Sequence, residues 1–117
     1  MFKLSALICG ILLIVIGVFG FIPEMVTHGL LFDFFHTNTT DNVVHVISGC
    51  LGVLCGLIGK RISRIFLQTG AIFYAVLAVL GFYFGDRCIW GVFASNFPDA
   101  FLHAFIASLL LFLGFLK

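Results

Sequence analysis

Asn42-Val43-Val44-His45-Val46-Ile47-Ser48-Gly49-Cys50-Leu51-Gly52-Val53-Leu54-Cys55-Gly56-Leu57-Ile58-Gly59 decides the fold class. It is uncharged apart from any proton on His45, and it approaches the roughly 20 residues that a helix needs to cross a hydrocarbon core of about 30 Å. Leu4 to Ile22, Ile65 to Gly85 and Ala100 to Leu116 are stretches of the same kind. Four transmembrane helices are expected, because a spanning segment must satisfy its own backbone hydrogen bonds and these runs lack the alternation of barrel strands. The whole chain agrees: 62% of its 117 residues are hydrophobic and 9% charged, with a mean hydropathy of +1.27. Soluble domains carry charge on roughly a quarter of their residues. The expectation is an all-α integral membrane protein, a four-transmembrane-helix bundle forming a single membrane domain over 1–117.

Outward from the helices, the charges are sorted. Lys3, Lys60, Arg61, Arg64 and Lys117 fall at the two ends and between helices two and three, with Arg87 alone on the other side. The positive-inside rule then puts both termini in the cytoplasm, and a cytoplasmic (inner) membrane is the expected location. Glu24, Asp33, Asp41, Asp86 and Asp99 lie in or beside the two outer loops, an anionic face able to attract cations. A net charge of +1 gives no nucleic-acid footprint. Lys3 followed by an apolar run resembles a signal peptide, but the run is long for that purpose and Gly20-Phe21-Ile22-Pro23-Glu24 offers no small-x-small cleavage site, so helix one is expected to stay. Neither end shows a lipidation or retention motif.

The outer loops are themselves apolar. In residues 25–36, Leu30, Leu31, Phe34 and Phe35 fall at helical spacing with Asp33 and His36 off that face, which predicts a short interfacial helix. The second loop sets Trp90, Phe93 and Phe97 among Gly91, Ser95, Asn96 and Pro98, suited to the headgroup layer. Ser48, Gly52 and Gly56, with Gly49, Cys55 and Gly59 beside them, mark helix two as the central packing element. Ala71, Ala75 and Ala78 on helix three, and Ala104 and Ser108 on helix four, read as further contact points. Cys9, Cys50 and Cys55 lie inside helices, where cysteine behaves as a small hydrophobe. Cys88 alone is expected outside, either free or bridging two copies. The lack of a Cys-x-x-Cys argues against a disulfide-generating oxidoreductase.

Two short words carry the chemistry. Asp41-Asn42-Val43-Val44-His45 and Asp99-Ala100-Phe101-Leu102-His103 each place an Asp four residues before a His at the mouth of an apolar run, 58 positions apart. Val18-Phe19-Gly20-Phe21 and Val79-Leu80-Gly81-Phe82 rhyme in the helices before them, so the two halves read as parallel hairpin repeats related about the membrane normal. Residues i and i+4 share a helix face, which sets Asp41 over His45 and Asp99 over His103. The plain account is helix capping: each Asp in a first turn opposite the helix dipole, each His its partner. The sharper one is a shared site at the outer end. Asp41, His45, Asp99 and His103 are a divalent-metal donor set, and His28 or His36 stand within reach from the loop. Alternatively each Asp orients its His, or His45 and His103 clamp a haem axially.

The order Gly17-Val18-Phe19-Gly20-Phe21-Ile22-Pro23, Gly29-Leu30-Leu31-Phe32, Asp41 to Gly49, and Asp99 to Leu102-His103 resembles a bacterial family of small four-helix membrane proteins, domain of unknown function 4383. That family pairs Asn-x-x-His-x-x-x-Gly on the second helix with Asp-x-x-Leu-His on the fourth. Asn42, His45, Gly49, Asp99, Leu102 and His103 match it. The resemblance implies the architecture and stresses the two histidines without naming a reaction. The functional expectation is a small multi-pass, non-enzymatic structural or accessory subunit, surrounded by lipid and assembling with itself or with a larger membrane complex. The alternative is a metal- or haem-binding protein using His45 and His103. A transporter is disfavoured by the uncharged inner halves of the helices.

Overall fold

A computed structural model describes residues 1–32 and 35–116. Among them are four long helices, α1 (Phe2–Phe21), α2 (Thr39–Ile58), α3 (Lys60–Phe84) and α4 (Phe97–Gly114), every one long and apolar enough to cross a membrane. The apolar side chains that face outward, such as Leu57, Ile58, Val79 and Phe101, take lipid as their solvent. The chain is a multi-pass membrane protein.

The helices begin earlier than hydropathy places them. Asn38 caps α2, which therefore starts at Thr39, and α3 starts at Lys60, leaving Gly59 as the whole link between α2 and α3. The basic residues expected in a loop there form the first turn of α3 instead. Ser63 secures the corner by donating from Oγ to the carbonyls of Cys55 and Gly59 (2.9 and 2.6 Å). Lys60 and Arg64 lie over the Phe2 ring, at 6.0 and 5.0 Å from its centroid.

The interfacial helix expected over 25–36 does not form. After a 3₁₀ turn at Pro23–Met25 the chain makes β1 (Val26–Thr27), β2 (Leu30–Leu31) and β3 (Phe35–His36), a small antiparallel sheet in the order β1-β2-β3. His28 and Gly29 both take positive φ (53° and 78°), the two-residue turn that matches strand twist. Phe32 is also left-handed (φ 56°), and this conformation is incompatible with continuing a helix. Asp33 and Phe34 lie outside the described residues, so the face expected of them is untested. Leu31 is buried and Phe35 half-buried, so the anchoring role of the loop survives the change of structure.

Packing divides the bundle into two tight pairs, α1 with α2 and α3 with α4, which touch more loosely across the middle. Helix two is therefore not a hub. Its buried stripe is Gly49, Gly52 and Gly56, while Ser48 turns away toward α3 and Gly59 has open space around it. At the α1/α2 crossing Gly10 and Gly49 face each other: a Cβ on Gly10 would stand 2.6 Å from the Gly49 carbonyl oxygen, and one on Gly49 2.5 Å from that of Gly10. Only glycine permits this approach. The common core collects Cys9 and Leu13 of α1, Leu67, Tyr74 and Leu77 of α3, and Ile106 and Leu110 of α4.

Candidate functional site

The two Asp/His words open α2 and α4 at the same end of the bundle, and the caps there are asparagines. Asn38 Oδ1 accepts from the Asp41 amide and Asn96 Oδ1 from the Asp99 amide, each at 2.9 Å. Asp41 and Asp99 do stand in the first turns of α2 and α4, as expected, but the cap bond itself belongs to the asparagine three residues before each. Asn accepts from the third backbone amide after it as well as Asp does, and without charge. The carboxylates are left for other work.

Asp41 uses its carboxylate to join the two halves. Its Oδ2 accepts from the amide of Ala94 in the loop between α3 and α4 at 3.1 Å, with both groups buried. Asn38 donates from Nδ2 to the Val92 carbonyl (2.9 Å), and the His36 amide donates to Asn96 Oδ1 (3.2 Å). His36 Nδ1 lies 2.9 Å from the Ser95 carbonyl, so the tautomer protonated there donates to it. Thr37 Oγ1 adds a bond to Asn42 Oδ1 at 2.7 Å. Each hairpin thus closes on the loop of the other.

One turn deeper the imidazoles converge. His45 and His103 have ring centroids 5.5 Å apart, and Tyr74 of α3 completes a triangle at 6.0 Å from His45 and 5.7 Å from His103. His45 lies nearly parallel to Tyr74, 7° between planes. His103 Nδ1 stands 3.7 Å from Asp99 Oδ2, too far for a hydrogen bond. The Nε2 atoms of both histidines are buried with no hydrogen-bond partner among the described residues. The side chains are 4% and 3% exposed, so water does not satisfy them from outside. Such orphan groups are uncommon in folded proteins.

The convergence of His45 and His103 follows from the spacing of the words, but the donor set does not close into a metal centre. Among the described residues no three His, Cys, Asp or Glu side chains are grouped to hold an ion. Asp41 is engaged by a loop amide, His36 by Ser95, and His28 sits exposed at the β1–β2 turn. The four cysteines are free; Cys9 is buried, Cys55 half-buried, and Cys50 and Cys88 are exposed. Tyr74 is the participant that sequence reasoning missed. It lies inside an apolar helix, with no polar neighbour in sequence to mark it.

The repeat runs further than the Asp/His words. At a constant separation of 58 positions stand Leu31 and Ile89, Phe32 and Trp90, Phe35 and Phe93, Thr37 and Ser95, Asn38 and Asn96, Asp41 and Asp99, and His45 and His103. The backbone repeats with them. Leu31 pairs with Phe35 as Ile89 pairs with Phe93, Phe32 and Trp90 are both left-handed (φ 56° and 49°), and Leu31 and Ile89 are both buried. The longer word Phe-x-Thr/Ser-Asn-x-x-Asp-x-x-x-His was readable in the sequence, and its Asn was the overlooked signal for the caps.

Fold and site together define a four-helix multi-pass membrane protein made of two like-oriented hairpins that share a buried polar cluster at one end. The family model described as Domain of unknown function (DUF4383) matches residues 3–116, and the chain belongs to that family. Comparison with curated proteins and with solved structures gives no match.

Proposed function

We propose that this protein is a non-enzymatic accessory or structural subunit of the bacterial inner membrane, and that its Asp/His cluster locks two hairpins into one rigid scaffold. One observation carries this reading: the polar side chains of the words bond across the repeat boundary, Asp41 to Ala94, Asn38 to Val92 and His36 to Asn96 and Ser95. The polar groups at the starts of α2 and α4 are spent on joining the hairpins. The wide lipid-facing surface suits assembly with a second copy or a larger membrane complex. The decisive experiment is co-expression of residues 1–59 and 60–117 as separate chains. A lock predicts that the halves co-purify, and that Asp41→Ala abolishes this; halves that stay apart, or associate regardless of Asp41, overturn it.

Orientation belongs to the same reading, with both termini cytoplasmic and the cluster on the outer side. Cys88 is exposed and is expected to react with a membrane-impermeant thiol reagent added to spheroplasts. Labelling from outside of a cysteine introduced at Arg61 would reverse the topology.

A second reading, a metal or haem held by His45 and His103, is favoured by the two unpartnered Nε2 atoms. Metal analysis and an absorption spectrum of the purified protein test it. Stoichiometric metal or a Soret band lost in His45→Ala supports that reading, and neither in protein purified from metal-replete cells overturns it.

A further inference from the structure

The end of the bundle away from the Asp/His cluster gathers positive charge that the protein itself leaves unanswered. Lys60, Arg61 and Arg64, on the first two turns of α3, line a recess of about 310 Å³ together with Phe2 of α1. All three basic side chains are exposed, whereas Phe2 beneath them is buried. No Asp or Glu occurs in residues 1–23, 42–85 or 100–117, so this end of the chain brings no acid to them. Among the described residues none of the three cations has a carboxylate partner.

Two of these cations are held in place by the fold. Arg64 donates from Nε to the Gly114 carbonyl at the end of α4 (3.1 Å) while its guanidinium lies over the Phe2 ring, and Lys60 reaches the same ring from the other side of the turn. With Nε committed, the terminal nitrogens of Arg64 are left to an outside acceptor, and a guanidinium offers them in a planar fork that suits a phosphate. Arg61 makes no hydrogen bond or ion pair among the described residues. The helix itself adds to the excess, since α3 starts without a side-chain cap bond and without an acid in its first turn, and cations there oppose the positive end of the helix dipole. An anion in the recess would relieve both.

From three cations lining one recess with no acid of the chain to meet them, we infer that this corner of α1 and α3 binds the headgroup phosphate of an anionic phospholipid, the phosphatidylglycerol class. Basic pockets at the ends of transmembrane helices recognise such headgroups. A zwitterionic headgroup would bring an ammonium that the same three cations repel, so net negative charge is selected. The lipid source is favoured over a soluble phosphate by what lies deeper: Ile65, four residues past Arg61, shares its helix face, and Ile72 continues the stripe. Both are exposed to the bilayer, a track for the acyl chain. The site stands at the end opposite the joint between hairpins and does not depend on it.

The test is thermal unfolding of the purified full-length protein in neutral maltoside micelles titrated with dioleoyl phosphatidylglycerol, with dioleoyl phosphatidylcholine and inorganic phosphate as separate arms. Phosphatidylglycerol is expected to raise the midpoint saturably, and the other two are expected not to. Arg61→Gln should weaken apparent affinity about fivefold, the worth of one basic residue at a membrane surface, and the double change Lys60→Gln with Arg61→Gln about twentyfold. Arg87→Gln is the control: it removes a lone cation at the other end that also lies over a phenylalanine ring and donates to a carbonyl, and it should leave affinity unchanged. Before lipid is added, Arg61→Gln should unfold at the same or a higher temperature, since it relieves repulsion at the helix start. No saturable shift, an equal shift with phosphatidylcholine, saturation by inorganic phosphate, equal losses in Arg61→Gln and Arg87→Gln, or a lowered lipid-free midpoint in Arg61→Gln would each overturn the inference.

Discussion

The α1/α2 hairpin and the α3/α4 hairpin are built on one plan and packed in two ways. Their ends at the α2 and α4 starts agree in the left-handed aromatic, the Asn cap, the Asp and the His. Below that level they part. Where α1 and α2 cross on Gly10, Gly17 and Gly49, the corresponding positions of α3 and α4 are Ala71, Ala78 and Ala107, and the space between those helices is an open groove lined by all three. A methyl group at each position holds backbones apart, and in lipid that distance decides how much dispersion energy a helix pair gains. The equal ends thus carry the joint between hairpins, and the unequal middles decide which surfaces stay open.

The largest effect should come from enforcing in α1/α2 what α3/α4 tolerates. Gly49→Leu must push α1 away, because its Cβ alone meets Gly10 and Ile14 at 2.5 Å; overpacking of this kind costs about 3 kcal/mol or more. The matched change Ala107→Leu has a groove to enter and should cost less than half as much. Denaturation in mixed micelles measures both, and equal losses would show that the two crossings are equivalent after all.

Next in size are the carboxylates. Asp41→Ala strands the buried Ala94 amide and should cost about 1–3 kcal/mol. Asp99→Ala strands no backbone donor and removes only a 3.7 Å contact with His103 and a first-turn acid, about 0.3–1 kcal/mol. A larger loss for Asp99 in the same unfolding assay would break the asymmetry drawn here.

The caps should fall close together. Asn38→Ala and Asn96→Ala each lose a first-turn bond worth about 1 kcal/mol. Asn38→Ala should be slightly the worse, through its bond to Val92. Hydrogen exchange at the first turns of α2 and α4 localises the fraying.

The smallest signal is a coupling. His45→Ala and His103→Ala remove contacting rings, so the double variant should depart from additivity by at least about 0.5 kcal/mol. Simple additivity would mean that the rings, though adjacent, do not act as one cluster.

Class, helix number and the approach of Asp99 to His103 were legible in the chain itself, because apolar length and the i, i+4 rule are local properties. The Asn caps were legible too, three residues before each Asp, and were passed over in favour of the more conspicuous charge. The interfacial segment misled for a physical reason: Leu30, Leu31 and Phe35 suit a helix face by spacing, but left-handed backbone at His28, Gly29 and Phe32 settles on strands that let Leu31 bury against the bundle. Only tertiary structure could bring Ala94 to Asp41 or set Tyr74 beside the two imidazoles. Those contacts join positions tens of residues apart whose meeting depends on how close two backbones come, and no local pattern in an apolar helix encodes that distance.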